Sequence, residues 1–195
     1  LPAARVARLD RDVASGHQVE KILGSVRRGE IDILVGTQMV TKGHDLPKVT
    51  LVGVINADAA LSLPDFRASE RGFQLLVQVA GRAGRAERPG RVLVQTRKPE
   101  HPAIAFAKRH DVEGFLDVEL EDRREVGYPP FARLALVRID AMDEREAREV
   151  GERLAKIGRD AAERAGKVEV IGPAPAPIER IRGRYRFRIL VRAAE

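Results

Sequence analysis

Residues 78–85 read Gln-Val-Ala-Gly-Arg-Ala-Gly-Arg, with two arginines three positions apart after a segment of helical periodicity. At that spacing Arg82 and Arg85 can reach one phosphate from the same side. An arginine near the terminal phosphate of a nucleotide stabilises the charge that develops as the phosphoryl group leaves. The pattern indicates a phosphate-facing site, although a helix that ends at glycines with solvated arginines would look the same.

A strand followed by a polar loop forms the second motif. The apolar run Ile31–Val35 predicts a buried strand and leads into Gly36-Thr37-Gln38-Met39-Val40-Thr41-Lys42-Gly43-His44-Asp45. Loops at the carboxyl ends of strands carry the ligand chemistry of α/β sheets. Thr37 offers a hydroxyl to a phosphate oxygen, Gly43 lets the backbone approach closely, and Asp45 can bond a ribose hydroxyl or a bridging water. An ordinary strand-to-helix connection is the alternative.

The first hundred residues alternate strand and helix patterns. Apolar runs predict strands at 5–9, 31–36, 49–55 and 91–96, and apolar spacings of three and four predict a helix at 17–28. A second helix is predicted from Phe66, with Asp65 as its N-cap. Its predicted buried residues are Phe73, Leu76, Val77 and Ala80. This order predicts an α/β layer.

The remaining residues have a different pattern. Residues 101–126 form a charged helical connector, and Pro129-Pro130 marks a domain boundary. Strands are predicted at 134–140, 168–171 and 185–191, which makes this part a small α+β unit. A helix is predicted to begin at Asp143. The residues that keep its helical spacing are Ala147, Val150, Leu154, Ile157 and Ala161.

The last strand is rich in arginine. The chain has a net charge of +6, and the residues from Pro173 to Glu195 contain six arginines and two glutamates. Alternation places Tyr185, Phe187, Ile189 and Val191 on one face of the strand, and Arg186, Arg188 and Arg192 on the other with Leu190. Arginines on one face lie about 7 Å apart, close to the phosphate spacing of a nucleic-acid strand. A solvated sheet face explains the same pattern equally well.

Composition limits the classes of protein that fit. No apolar run approaches the ~20 residues of a membrane-spanning helix, and the first residues are not a signal peptide. Because the chain has no cysteine, it carries neither a disulfide framework nor a cysteine zinc site. Asp58, Asp65 and Glu70 bracket a proline turn without the periodicity of metal ligands, so no metal site is predicted.

Taken together, the motifs resemble a known family. The loop after Ile31–Val35 and the octet at 78–85 are similar to motifs V and VI of superfamily 2 helicases. Three segments resemble sequences of the bacterial replication-restart helicases of the primosomal protein N′ (PriA) family. They are GTQMVTKGHDLPKVTLVGVINAD, LPDFRASERGFQLLVQVAGRAGR and GRVLVQTRKPEHPAI. The segments Gly127–Phe131 and Gly172–Pro177 match the C-terminal domain of that family.

The resemblance implies a fold and its limits. Residues 1–100 would be the second RecA-like helicase lobe, with an incomplete P-loop NTPase fold, and residues 101–126 the connector. Residues 127–195 would be an α+β DNA-binding domain that continues past Glu195 through one more helix and strand. The family's zinc-binding cysteines would precede Arg8.

The resemblance also implies roles for single residues. Arg82 and Arg85 would be the catalytic arginines. The residues facing ATP would be Gly43, Asp45, Gln78 and Gly81. The residues that contact nucleic acid would be Thr37, Gln38, Lys42, His44, Arg184, Arg186 and Arg188.

The implied activity is ATP-dependent 3′–5′ unwinding of DNA at stalled or branched forks, with primosome assembly in replication restart. The chain has no phosphate loop and no D-E-x-H box, so a first lobe would hold ATP and Mg²⁺, and this chain alone would be inactive. Implied partners are branched and single-stranded DNA, single-stranded DNA-binding protein, primosome components and the replicative helicase loader, in the bacterial cytoplasm and without a membrane. The alternatives are a non-hydrolysing DNA-binding scaffold and another superfamily 2 translocase acting on duplex DNA or RNA.

Overall fold

The computed structural model describes residues 3–10, 16–37, 46, 48–81 and 90–194. The chain divides into two compact units, Leu1–Leu116 and Asp117–Glu195. Among the described residues, no helix has the length and apolar character that a membrane span requires.

The first unit alternates strands and helices. Its elements are β1 (Val6–Leu9), α1 (Gly16–Arg28), β2 (Ile33–Gly36), β3 (Leu51–Val54), α2 (Ala57–Leu61), α3 (Ala68–Ala80), β4 (Arg91–Val94), α4 (Pro102–Arg109) and the start of α5 (Val112–Val126). β1 pairs in parallel with β2, and β3 pairs in parallel with β4. Parallel strands alternating with helices confirm the predicted α/β layer. The predicted domain boundaries at 100/101 and 126/127 stay a prediction, since the division between the units falls inside α5.

The core of the first unit lies between α3 and α4. The rings of Phe73 and Phe115 stack with their centroids 4.0 Å apart, and Leu76 and Ile104 are buried beside them. Phe73 and Leu76 were predicted to be buried. The predicted burial of Val77 and Ala80 is wrong in degree, because both are half-buried while Val79 is fully buried. Since α3 packs against both α2 and α4, its buried side is wider than a single helical stripe.

Asp65 is not the N-cap of α3, contrary to the sequence prediction. The helix begins at Ala68, and its N-cap is Arg67, whose side chain makes no capping hydrogen bond. The Asp65 carboxylate instead accepts the backbone N–H of Arg67 at 2.9 Å and pairs with the Arg71 guanidinium at 2.7 Å. These bonds close a turn before the helix, which is a common use of aspartate.

Asp58 joins the carboxyl ends of β3 and β4. Its carboxylate accepts the Thr96 hydroxyl at 2.7 Å and the Arg97 backbone N–H at 2.9 Å. These two hydrogen bonds, the Thr96 hydroxyl first, lower the pKa of the Asp58 carboxyl. The start of α2 is therefore held against the end of β4.

The second unit is a three-stranded antiparallel sheet with one long helix. Its elements after α5 are β5 (Ala132–Ala141), α6 (Glu144–Ala165), β6 (Val168–Ile181) and β7 (Arg184–Ala194), and the strand order is β5-β7-β6. The Asp143 side chain accepts the Glu146 backbone N–H at 3.0 Å, which confirms the predicted start of α6. Phe187 and Ile189 are buried against α6, as strand alternation predicts.

Small residues form the contact side of α6. Ala147, Gly151 and Ala155 are buried, whereas Leu154 is 42% and Ile157 is 64% exposed. Small residues at spacings of four let the helix backbone lie close to the sheet, where larger side chains would hold it away. The apolar spacing therefore predicted the helix correctly. Of the residues that keep this spacing, Ala147 is buried and Val150 packs against the core, whereas Ala161 is exposed.

Gly172 offers a test of the sheet. It has a φ of +105°, and a Cβ there would lie 2.9 Å from the backbone oxygen of Arg188 on β7. We expect Gly172→Ala to destabilise the chain by about 2 kcal/mol or more, because an L-residue is strained at this φ and the neighbouring backbone is in the way.

Urea unfolding of both proteins measures this cost. Gly158→Ala on α6 is the matched control, since its new Cβ would meet Val170 at an ordinary 3.4 Å. Equal unfolding midpoints for Gly172→Ala and Gly158→Ala would contradict the geometry of the sheet at Gly172.

Candidate nucleotide and nucleic-acid interface

The first motif loop starts at the carboxyl end of β2. Thr37 follows Gly36 directly, and its side chain is exposed. β2 lies beside β1, and Gly36 is level with Leu9 in the register. The hydroxyl of Thr37 thus lies at the edge of the sheet where α/β proteins place ligands. The other predicted residues of this loop, Gln38, Lys42, Gly43, His44 and Asp45, lie outside the described residues.

The second motif begins at the end of α3. Gln78 lies in its last turn with an exposed side chain, and Gly81 is the C-cap, whose N–H bonds to the carbonyls of Val77 and Val79. The helix therefore ends at Ala80, two positions before Arg82. Arg82 and Arg85 lie outside the described residues, so their catalytic role stays a prediction.

The two motif segments lead into neighbouring strands. The segment after Thr37 ends at Thr50, just before β3, and the segment after Gly81 ends at Gly90, just before β4. The Arg91 backbone N–H donates to the Thr50 carbonyl oxygen at 2.9 Å. Because β3 and β4 are parallel, both segments lead into the same edge of this two-stranded sheet.

Asp10 is a polar residue of this region that the sequence analysis did not single out. It follows β1, is buried, and forms an ion pair with Arg8. Its position at the carboxyl end of β1 places it on the same sheet edge as Gly36. The signal available in the sequence was a polar residue directly after a predicted strand, as in the polar loop after β2.

In the second unit, the three predicted DNA-binding arginines lie on one face of β7. Arg184, Arg186 and Arg188 alternate with the buried Phe187 and Ile189 and lie on the face opposite α6. The predicted shared face is thus confirmed, whereas their contact with DNA stays a prediction.

These arginines differ in their partners. Arg184 donates to the Asp140 carbonyl oxygen at 2.7 Å. Arg186 pairs with the Asp140 carboxylate at 3.2 Å and is only 19% exposed at its side chain. Arg188 makes no hydrogen bond or ion pair with the part of the chain that the structure describes. The cations are therefore not equally available to a ligand.

Contact of this chain with a nucleotide stays a prediction. Thr37 and Gln78 supply a hydroxyl and an amide at the two motif ends, but the sequence contains no phosphate loop. Among the described residues, no three histidine or acidic side chains cluster as metal ligands. With no cysteine in the sequence, the zinc implied by the resemblance has no thiolate ligands on this chain.

Comparisons with known proteins agree with this division. Residues 3–87 match the helicase conserved C-terminal domain, and residues 124–195 match the primosomal protein N C-terminal domain. One solved structure, the C-terminal domain of the DEAD-box protein Dbp5, covers 63% of this chain and 70% of its own at 17% identity, with a TM-score of 0.39. The first unit is thus a RecA-like helicase lobe by its sequence family.

Curated relatives extend the match to nearly the whole chain. The replication restart protein PriA of Bacillus subtilis is 45% identical over 193 residues, which are 98% of this chain and 24% of that protein. The PriA proteins of Synechocystis sp. and Treponema pallidum are 45% and 41% identical, and the chain covers 23% and 29% of them. The chain thus spans about a quarter of the length of these relatives. Both domain models and these relatives agree, and the chain is similar to the PriA replication restart proteins over 98% of its length.

Proposed function

We propose that the chain forms the second lobe and C-terminal unit of an ATP-dependent 3′–5′ DNA helicase that restarts replication at stalled or branched forks. The observation that carries this proposal is the match of residues 3–87 to the helicase conserved C-terminal domain together with the match of residues 124–195 to the primosomal protein N C-terminal domain. Thr37 lies on one motif segment, and Arg82 and Arg85 lie on the other. The hydrogen bond from Arg91 to Thr50 holds side by side the two strands that follow these segments.

In this proposal the two segments divide the chemistry. A first lobe holds ATP and Mg²⁺, and Gly43, Asp45, Gln78 and Gly81 line the nucleotide from the side of this chain. Arg82 and Arg85 stabilise the charge that develops on the transferred phosphoryl group. Thr37, Gln38, Lys42 and His44 contact the nucleic-acid backbone, so DNA binding and hydrolysis depend on the same loop.

The proposal also covers the substrates, the protein partners and the cellular location. Branched and single-stranded DNA are the substrates, and the C-terminal unit contributes to DNA binding through its basic sheet face. Single-stranded DNA-binding protein, primosome components and the replicative helicase loader are the protein partners, in the bacterial cytoplasm. The relatives are replication restart proteins, which supports restart of replication as the process.

The catalytic part is tested in the longer protein that joins this chain to a first lobe. We expect Arg82→Ala or Arg85→Ala to lower DNA-stimulated ATP turnover by about 10³-fold, because each removes charge stabilisation from the transition state. DNA affinity should stay within a few-fold. Steady-state ATP hydrolysis and fluorescence anisotropy measure the two quantities.

Arg133→Ala is the control, because Arg133 is an exposed arginine on β5 in the other unit. ATP turnover near that of the control in both Arg82→Ala and Arg85→Ala would remove the catalytic assignment. If ATP turnover is absent even from the unaltered longer protein while DNA binding persists, the non-hydrolysing scaffold is the correct function.

The loop after β2 is tested through coupling. Thr37→Ala should uncouple DNA binding from ATP turnover, because it removes a hydroxyl that contacts a phosphate, whereas Thr37→Ser keeps that hydroxyl and should behave normally. Asp45→Ala should uncouple in the same way from the nucleotide side. The ratio of ATP turnover with and without DNA is the measurement.

Thr37 is exposed, so the substitution should leave the melting temperature unchanged. Normal stimulation by DNA in both Thr37→Ala and Asp45→Ala would limit the loop to a packing role.

A further inference from the structure

The open face of the second unit's sheet is organised in rows that cross its strands. One row joins Arg138 of β5 to Arg188 of β7 and Ala174 of β6. The next row joins Leu136, Leu190 and Ile171, and the row after it contains Arg192 and Glu169. Successive rows on one face are about 7 Å apart.

The Arg138–Arg188 row holds like charges directly opposite each other. Such a cross-strand pair is destabilising unless an anion compensates it. Arg138 donates to the Asp140 carboxylate at 2.9 Å, but Asp140 also pairs with Arg186. Arg188 has no acceptor among the described residues.

Two other arginines of this face, Arg186 and Arg192, pair with carboxylates of neighbouring strands. Arg186 is matched by Asp140, and Arg192 pairs with Glu169 and donates to the Val126 carbonyl oxygen. Arg138 shares its carboxylate partner with Arg186, and Arg188 has no carboxylate partner among the described residues. The excess positive charge is concentrated at Arg138 and Arg188.

The apolar row lies directly beside this charge. Leu136 is 62% and Ile171 is 44% exposed, and Leu190 lies between them in the register. These three aliphatic side chains, aligned across the strands, form an apolar patch on the open face of the sheet. A ligand that matches both rows carries an anionic group and a flat apolar group about 7 Å apart.

We propose that this face binds a single nucleic-acid strand, with one phosphate between Arg138 and Arg188 and the neighbouring base against Leu136, Leu190 and Ile171. The proposal rests on the proposed DNA binding of the C-terminal unit and names its site. Charge complementarity favours this occupant, because Arg188 has no carboxylate partner among the described residues and Arg138 shares one with Arg186. Every base, in turn, has an apolar face. Arg184 and Arg186 then serve mainly to hold Asp140 and the sheet.

The test measures binding of the chain to a fluorescein-labelled oligothymidine over a range of salt concentrations. Replacing both Arg138 and Arg188 with glutamine should weaken binding by roughly tenfold per arginine and flatten the plot of log affinity against log salt by about 1.4 units. Arg133→Gln is the matched control, because Arg133 lies on β5 but on the opposite face of the sheet.

A second pair of variants tests the apolar row. Leu136→Ser should weaken binding by about three- to fivefold without changing the salt slope, since it removes apolar contact and no charge. Ile157→Ser on α6 is its control, because Ile157 has a similar exposure of 64% on the other side of the sheet. Circular dichroism confirms that each variant is folded.

The outcomes separate this site from the broader proposal. If the chain binds oligothymidine and the double arginine variant behaves like Arg133→Gln, the site is wrong while DNA binding by the chain stands. If the unaltered chain binds no oligothymidine, the DNA-binding role of the C-terminal unit fails too, and the ATP turnover of the longer protein still tests the helicase lobe. Preferential binding of an acidic apolar peptide, lost in the double variant, would overturn the nucleic-acid strand as occupant.

Discussion

The parallel pairing of β3 with β4 is the constraint on which the candidate nucleotide site depends. The bond from the Arg91 N–H to the Thr50 carbonyl sets where the two motif segments end. At the opposite ends of the same strands, Asp58 ties α2 to β4 through Thr96 and Arg97. A short two-stranded sheet is weak alone, so the packing of α3 and α4 around Phe73 and Phe115 stabilises it. The two motif segments thus lead into paired strands of one packed unit.

Side chains alternate between the two faces of the second unit's sheet. One face packs against α6, and in our proposal the other face binds the ligand. On one face, the small residues Ala147, Gly151 and Ala155 let α6 approach Phe187 and Ile189 closely. On the other face, charged and apolar rows remain exposed. An arginine pair opposed across two strands lowers the stability of the sheet, and in our proposal a phosphate supplies the missing negative charge. This would link the affinity for DNA to a local electrostatic cost in the unbound chain.

The sequence predicted most of the elements and the family, because strand runs and motif spacings are local signals. Alternation along β7 also predicted correctly which side chains of that strand are buried. The spacing along α6 predicted a helix but not which residues make the contact, and in the structure the small residues Ala147, Gly151 and Ala155 make it. Asp65 was misplaced as a cap because an aspartate before a helix can also bond within the preceding turn.

Other features depend on register and cannot be obtained from one segment alone. Arg138 was not singled out because its position opposite Arg188 follows from the pairing of two strands far apart in sequence. The different partners of Arg184, Arg186 and Arg188 arise from Asp140, which lies on another strand. Asp10 shared its signal with the loop after β2, but its burial and its pairing with Arg8 required the fold.

A double-mutant cycle tests most directly whether the two motif segments act on one site. It combines Thr37→Ala with Arg85→Ala in the longer protein and measures DNA-stimulated ATP turnover in all four forms. If one site contains both residues, Thr37→Ala should have no further effect once Arg85 is replaced. Effects of the two substitutions that multiply in full would contradict the account, because they would show that the segments act independently.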